Sequence, residues 1–267
     1  AWPLMRSAEA RGVLLDALLT AYGGTKVVPR LGFGPRLIYV VGGEGDNSRK
    51  LSTVELYDPQ IASWTQRAGM AGPRTFHSCV ALDGKLYVVG GEGANHQTLG
   101  TAEVYDPQTD GWQPLAKMST ARSGLGLAAV GSKIYAIGGA TGFSILKSVE
   151  AYNPQLDTWA SVASMSEERF GHASVVLHGK IYVMGGYGSG VIPVDTVGVY
   201  DPQIDSWQQV ASMPRRLHGH AAAAMGGKIY VTGGYSQGIT LNSVYVYDPQ
   251  ADAWTQLASM STARRGH

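Results

Sequence analysis

Lys180-Ile181-Tyr182-Val183-Met184-Gly185-Gly186 leads, after a loop, into Val197-Gly198-Val199-Tyr200-Asp201-Pro202-Gln203 and then Trp207 and Met213. Ahead of it, His172 to Leu177 is a short apolar run, and His178-Gly179 is a turn pair joining that run to Lys180. Two apolar runs separated by such a pair read as a hairpin. Val197 to Tyr200 then gives a third strand, Asp201-Pro202 a turn, and Ser206 to Val210 around Trp207 a fourth. The stretch from Gly171 to Ala211 is therefore one antiparallel four-stranded sheet.

The same pattern recurs outward from this copy. Paired glycines stand at Gly42-Gly43, Gly90-Gly91, Gly138-Gly139, Gly185-Gly186 and Gly233-Gly234, a period of 47 or 48 residues. Tyr-Asp-Pro-Gln begins at Tyr57, Tyr105, Tyr200 and Tyr247, and at Tyr152 with Asn153 in place of Asp. Trp64, Trp112, Trp159, Trp207 and Trp254 follow, and Met70, Met118, Met165, Met213 and Met260 stand six residues further on. A sheet with two apolar faces cannot bury both alone, so successive copies must pack face to face, and packing around an axis makes an all-β propeller. The blades are expected around 37–68, 76–116, 124–163, 171–211 and 219–258, within a repeat region of 31–267. The Tyr and Trp columns are expected to pack between blades, and the glycine pairs to supply φ > 0 or close approach.

Composition narrows the partner classes. The formal charge is +1 among 267 residues, with no dense Lys/Arg run, so nothing marks a nucleic-acid or anionic-membrane surface. A single cysteine, Cys79, excludes an internal disulfide framework and a cysteine zinc cage, which favours a reducing, cytoplasmic setting. No apolar run reaches the roughly 18 to 20 residues of a membrane helix.

Gly-Gly after Ile-Tyr-Val-Val, then Tyr-Asp-Pro, Trp, Met and Arg at a period near 48, resembles the kelch repeat over roughly residues 37 to 267. Upstream, Ser7 to Tyr22 carries Val13, Leu14, Leu15, Leu18 and Leu19 at helical spacing, with Ser7 placed to cap and Gly23-Gly24 to stop it. That short helix, within residues 1–30, resembles the last helix of the BACK domain that joins a BTB domain to a kelch propeller. In BTB-type propellers six blades are usual, and a C-terminal strand completes the first blade. Arg264-Arg265-Gly266-His267 matches the lead-in to a blade's first strand, and Pro29, Gly32, Gly34 and Pro35 break the candidate first strand of the first blade. The chain is therefore expected to be an incomplete six-bladed ring, with a five-bladed ring as the alternative, and an open arc with uncovered end faces should aggregate.

Strand parity places the second-to-third loops and the fourth-to-first linkers on one side. That side carries the long variable loops Glu44–Ser52, Glu92–Gly100, Ala140–Lys147, Tyr187–Asp195 and Tyr235–Asn242. Recognition belongs on such loops. Three columns converge there: basic Arg74, Arg122, Arg169 and Arg264, broken by Leu217; hydroxyl Thr53, Thr101, Ser148, Thr196 and Ser243; and Glu44, Glu92, Ala140, Tyr187 and Tyr235. Guanidinium and hydroxyl groups suit carboxylates or phosphates. The resemblance implies that these columns line a pocket for an acidic or polar peptide turn, with Arg122-Ser123-Gly124 the nearest local match and Asn95 on the second loop a further contact. The competing expectation is that each Arg ties neighbouring blades through Glu55, Glu103 or Glu150.

Catalytic constellations are missing from the sequence. No paired carboxylates or Ser-His-Asp arrangement stands out, and His77, His172, His220 and His267 form a repeat column that reads as linker packing rather than a metal site. No cofactor is expected, and the chain is not expected to be an enzyme. The resemblance implies a substrate-recognition module of a BTB-BACK-kelch adaptor for a cullin-RING ubiquitin ligase, which would reach the cullin only through a BTB domain outside these residues. The alternatives are an actin- or cytoskeleton-binding kelch protein, and a kelch enzyme acting on a small carbohydrate with Glu44 and Glu92 as its acidic candidates.

Overall fold

A computed structural model describes residues 26–29 and 37–266, and the expected helix Ser7 to Tyr22 lies outside them. Twenty of its strands form five four-stranded antiparallel blades. Blade 1 holds β1 (Lys26–Pro29), β2 (Ile38–Glu44), β3 (Lys50–Asp58) and β4 (Ser63–Arg67). Blade 2 holds β5 (Ser78–Leu82), β6 (Lys85–Val89), β7 (Ala102–Asp106) and β8 (Gly111–Leu115). In blade 3, β9 (Gly126–Val130) and β10 (Lys133–Ile137) are followed by a small loop ladder, β11 (Ala140–Thr141) with β12 (Ser144–Ile145), before β13 (Val149–Asn153) and β14 (Thr158–Val162). Blade 4 holds β15 (Ala173–Leu177), β16 (Lys180–Met184), β17 (Val197–Asp201) and β18 (Ser206–Val210). Blade 5 holds β19 (Ala221–Met225) and β20 (Lys228–Thr232), a loop ladder β21 (Tyr235–Ser236) with β22 (Ile239–Thr240), then β23 (Val244–Asp248) and β24 (Ala253–Leu257).

The first blade departs from the sequence expectation. β1 pairs with β2 over Lys26↔Val41 to Pro29↔Ile38, so the blade has its first strand despite the prolines and glycines that follow it. β1 is the edge of its sheet, and Pro29 ends it, which is where a strand tolerates a residue without an N–H. The blade thus begins at Lys26, ahead of the expected boundary near 37.

Each second strand shows why its run is continuously apolar. Leu86 and Val88 join the core shared with blade 1 (Tyr39, Val41, Val54, Leu56, Met70), whereas Tyr87 and Val89 join the core shared with blade 3. Ile181 and Val183 against Tyr182 and Met184 repeat the division two seams further on. Alternate residues of a strand point to opposite faces, and in an inner blade both faces are buried.

The first strands pack on one another in the order β1, β5, β9, β15, β19, which places them around the axis. Among the described residues, no comparable packing joins β19 to β1 and no core cluster joins blade 5 to blade 1. The end faces carry the consequences. Trp112, Trp159, Trp207 and Trp254 each donate an indole N–H to a carbonyl of the preceding blade, from Ala68, Ala116, Ala163 and Ala211, at 2.7 to 2.9 Å. Trp64, with no described blade before it, is 55% exposed. A second tie runs from the tyrosine column. Tyr105, Tyr152, Tyr200 and Tyr247 donate to Asp110, Asp157, Asp205 and Asp252, whose carboxylates also accept the amides of Ala68, Ala116, Ala163 and Ala211. In blade 1 the same position is Ala62.

This difference sets an expected result. Trp159→Phe removes an inter-blade hydrogen bond and should lower stability by about 1 kcal/mol, whereas Trp64→Phe should leave it unchanged. Urea denaturation of the two variants separates these outcomes, and equal losses would mean that the tryptophans act within their own blades.

Candidate functional site

The expected geography of the loop face is present. Bridges Thr75↔Glu92, Ser123↔Ala140, Phe170↔Tyr187 and His218↔Tyr235 pair each linker with the second-to-third loop of the blade it enters, so linkers and long loops share one side.

The arginine column lies beneath that face. Arg74, Arg122 and Arg169 are 3%, 0% and 3% exposed, so none of them presents its guanidinium on the loop face, and Arg74 and Arg122, each closed by a buried glutamate, leave the set of contact residues expected from sequence. Arg74 pairs with Glu103 across the first seam, and Arg122 donates to Glu150 at 2.7 Å across the second. Each guanidinium also donates to carbonyls of the next blade: Arg122 to Gly138 and Ser148, both at 2.9 Å, and Arg169 to Gly185 and Thr196 at 2.9 and 3.0 Å. Burial alone would favour the neutral Glu150 carboxyl, but the amide of Ser119 and the Arg122 guanidinium outweigh it and hold its pKa below the ordinary carboxylate value. Of the competing sequence expectations, the inter-blade tie describes Arg74 and Arg122. Arg264 is exposed because no described blade follows it.

The break in the column at Leu217 has a partner. Glu103 and Glu150 correspond to Tyr245 in blade 5, and Leu217 and Tyr245 are both buried at 0% and 3% exposure. Where the arginine is lost, the glutamate is lost with it.

Other sequence candidates divide. Ser148 Oγ accepts from Arg122 at 3.1 Å and is part of the seam, and Ser243 is buried. Thr101 is half-buried, with its carbonyl accepting from Arg74 at 3.3 Å. Ser123 is half-buried at the face, and Asn95 is exposed at a loop tip.

Tyr187 and Tyr235 do come together. Tyr187 is hydrogen-bonded to His218 Nε2 at 2.7 Å with ring centroids 4.1 Å apart, the His218 ring is 5.2 Å from that of Tyr235, and the Arg265 guanidinium sits 4.5 Å over Tyr235. Burial and the Arg265 charge both depress the His218 pKa, so this imidazole is neutral at neutral pH. The result is an aromatic patch with one exposed cation at its rim, suited to acidic or planar groups. On the opposite arm, Lys50 pairs with Glu92, which His96 also meets at 2.8 Å. Burial opposes ionisation of Glu92, but Lys50 and His96 prevail and lower its pKa. Glu92 is thereby an ion-pair member rather than an acid in waiting. Beside it a cleft of about 490 Å³ is lined by Arg49, Lys50, Ser52, Pro73, Ala94 and His96.

Sequence reasoning passed over the loop tips themselves. Phe143 is fully exposed, and Val191, Ile192 and Ile239 are 65%, 55% and 55% exposed on the corresponding loops of blades 3, 4 and 5. Isolated apolar residues in unpatterned loops give no periodic signal, but their recurrence in consecutive blades was available to an alignment of the repeats.

His77, His172 and His220 are buried against the glycine pairs, as linker packing requires. Among the described residues no three His, Cys, Asp or Glu side chains are grouped to hold a metal, and no helix is long and apolar enough to cross a membrane. Cys79 is partly buried against the core of the first seam.

Comparison with known proteins agrees with the architecture. The family model of the KLHDC2/KLHL20/DRC7 kelch-repeats domain matches residues 24–186, and the kelch motif matches 168–214 and 216–261. A search of curated proteins found no match. The solved structure titled "Structure of YjhT" is similar with a TM-score of 0.78 at 16% identity, over 95% of this chain and 88% of that one, which is a likeness of fold. Five glycine-paired, four-stranded blades, matched by kelch models over most of their length, make this chain a member of the kelch-repeat family.

Proposed function

We propose that this propeller holds a protein partner on its loop face, and that it is the recognition part of a cytoplasmic BTB-kelch adaptor of a cullin-RING ubiquitin ligase. The observation that carries the first part is the set of exposed apolar tips, Phe143, Val191, Ile192 and Ile239, on three consecutive loops that flank the Tyr187-His218-Tyr235 patch. Apolar anchors beside aromatic and Arg side chains are what protein interfaces concentrate, and of the two faces it is the loop face that sets its exposed apolar tips beside such a patch. Kelch propellers are a protein-interaction fold, and no catalytic step is assigned to this one. The adaptor role rests on the resemblance of the repeats, with the cullin reached through a BTB domain outside these residues.

Affinity capture from cell extract tests this. A Phe143→Asp, Ile192→Asp double variant should lose its captured partner at least tenfold, whereas Leu156→Asp with Ile204→Asp, at exposed positions in the short turns of the other face, should retain it. Retention by the first variant and loss by the second would move recognition to the short turns. Co-sedimentation with actin filaments would favour the cytoskeletal alternative over the adaptor.

A further inference from the structure

The third seam lacks the carboxylate that the first two contain. Thr101-Ala102-Glu103 and Ser148-Val149-Glu150 correspond in blade 4 to Thr196-Val197-Gly198. Where Glu103 takes the amide of Ala71 along with Arg74, and Glu150 takes the amides of Ser119 and Thr120 along with Arg122, Gly198 offers nothing to Arg169 or to the amides of Ser166 and Glu167. A cavity of about 100 Å³ occupies the place, lined by Met165, Glu167, Arg169, Gly198, Trp207 and Gln209. A site of that size has room for several waters or one small ligand.

Arg169 remains in the slot, 3% exposed, and borrows a carboxylate from its own linker. Glu167 Oε1 accepts from its Nη2 at 2.6 Å and from the Thr196 hydroxyl, and Thr196 Oγ1 accepts from Nη2 at 2.6 Å. Glu167 differs from Glu103 and Glu150 in being anchored on a surface linker, with its side chain 34% exposed against 7% and 3%. An ion pair that water reaches is weaker than a buried one, so Glu167 is displaceable.

We propose that this slot is a carboxylate-binding site. A ligand carboxylate enters beside Gly198, replaces Glu167 on the Arg169 guanidinium, and takes the linker amides as Glu103 and Glu150 do in their seams. The Nη2 hydrogen that Glu167 releases, together with the linker amides, would hold the carboxylate, and a charge-assisted N–H···O bond of that kind is about twice as strong as a neutral one. The ligand is either a free small carboxylate or the acidic side chain of a bound peptide. The site is independent of recognition at the loop tips and can stand if that fails.

Acetate and N-acetyl-glutamate N-methylamide are the probes, titrated into the full chain by calorimetry and ligand-observed NMR. Saturable binding of acetate alone assigns the slot to free carboxylates, and binding of both extends it to peptide side chains. Gly198→Glu rebuilds the resident carboxylate on β17 and should abolish binding of either probe while leaving the circular dichroism spectrum unchanged. A Cβ at Gly198 meets the Trp207 ring at 3.2 Å, so that indole must shift by a few tenths of an ångström. Should Gly198→Glu fail to fold, Glu167→Gln gives a second reading: with the competing charge removed, acetate should bind several-fold more tightly. Failure of both probes to bind the wild type, or unchanged acetate affinity in either variant, would overturn the proposal.

Discussion

Arg122→Leu should lower the stability of this protein by about 3–5 kcal/mol, and Glu150→Tyr introduced alongside it should restore more than half of that loss. Arg122 is wholly buried and Glu150 nearly so. Removing the guanidinium leaves a carboxylate in a low-dielectric seam with the Ser119 amide and side chain and the Thr120 amide to stabilise it, and no countercharge. The double variant removes both charges and copies what the chain already does at its fourth seam, where Leu217 and Tyr245 fill the same two positions. Replacing a buried ion pair by apolar residues of suitable volume is often neutral. Urea denaturation of both single variants and the double gives the coupling energy directly. Purely additive effects would show that the two side chains do not act as a pair.

The same substitution has a pH signature. Glu150 is held below its ordinary value in the fold, so its folded pKa is lower than its unfolded one, about 4.3. Its stabilisation is complete above the unfolded value and is lost as pH falls through the folded one. Wild-type melting temperature should therefore fall as the pH drops below about 4, and the Leu-Tyr variant should fall less. Identical acid profiles would mean that the tyrosine-bound aspartates carry the whole acid dependence.

The fold was legible because each blade repeats the same physical problem. Gly-Gly, Tyr-Asp-Pro and Trp recur since every seam needs a close approach, a turn and a donor to the blade before it. The site was less legible for the same reason. Arg74, Arg122 and Arg169 were visible as a column, yet a column marks what every blade shares, and what they share is the seam. The recognition proposed here draws on what differs, such as Phe143 or Ile192, and a residue that appears once leaves no period to detect. Gly198 sits between these cases. It is a single departure from a column, readable only once Glu103 and Glu150 are known to face their arginines. β1 was missed because Pro29 and the glycines beyond it argue against a strand, while an edge strand ending at Pro29 is permitted.

Gly90→Ala should be among the most damaging methyl additions at the described glycines, costing at least about 3 kcal/mol, against about 1 kcal/mol for Gly131→Ala. Both glycines have positive φ, +66° and +58°, so both variants pay the strain of a Cβ in the left-handed region. Only Gly90 also faces a wall. Its Cβ would lie 2.4 Å from the Arg122 carbonyl oxygen, the acceptor of the Gly91 N–H at 2.9 Å, with Leu125 and Met118 behind it. Nothing stands within 4 Å of the position at Gly131. Relieving the contact at Gly90 means pushing the linker away, which stretches that hydrogen bond and draws the Arg122 guanidinium from the Gly138 carbonyl it reaches at 2.9 Å. The difference between the two variants in thermal and urea denaturation isolates close approach from backbone strain. Equal losses would show that the glycine pairs are kept for their dihedral angles alone, and the seam would then tolerate a wider linker than its contacts imply.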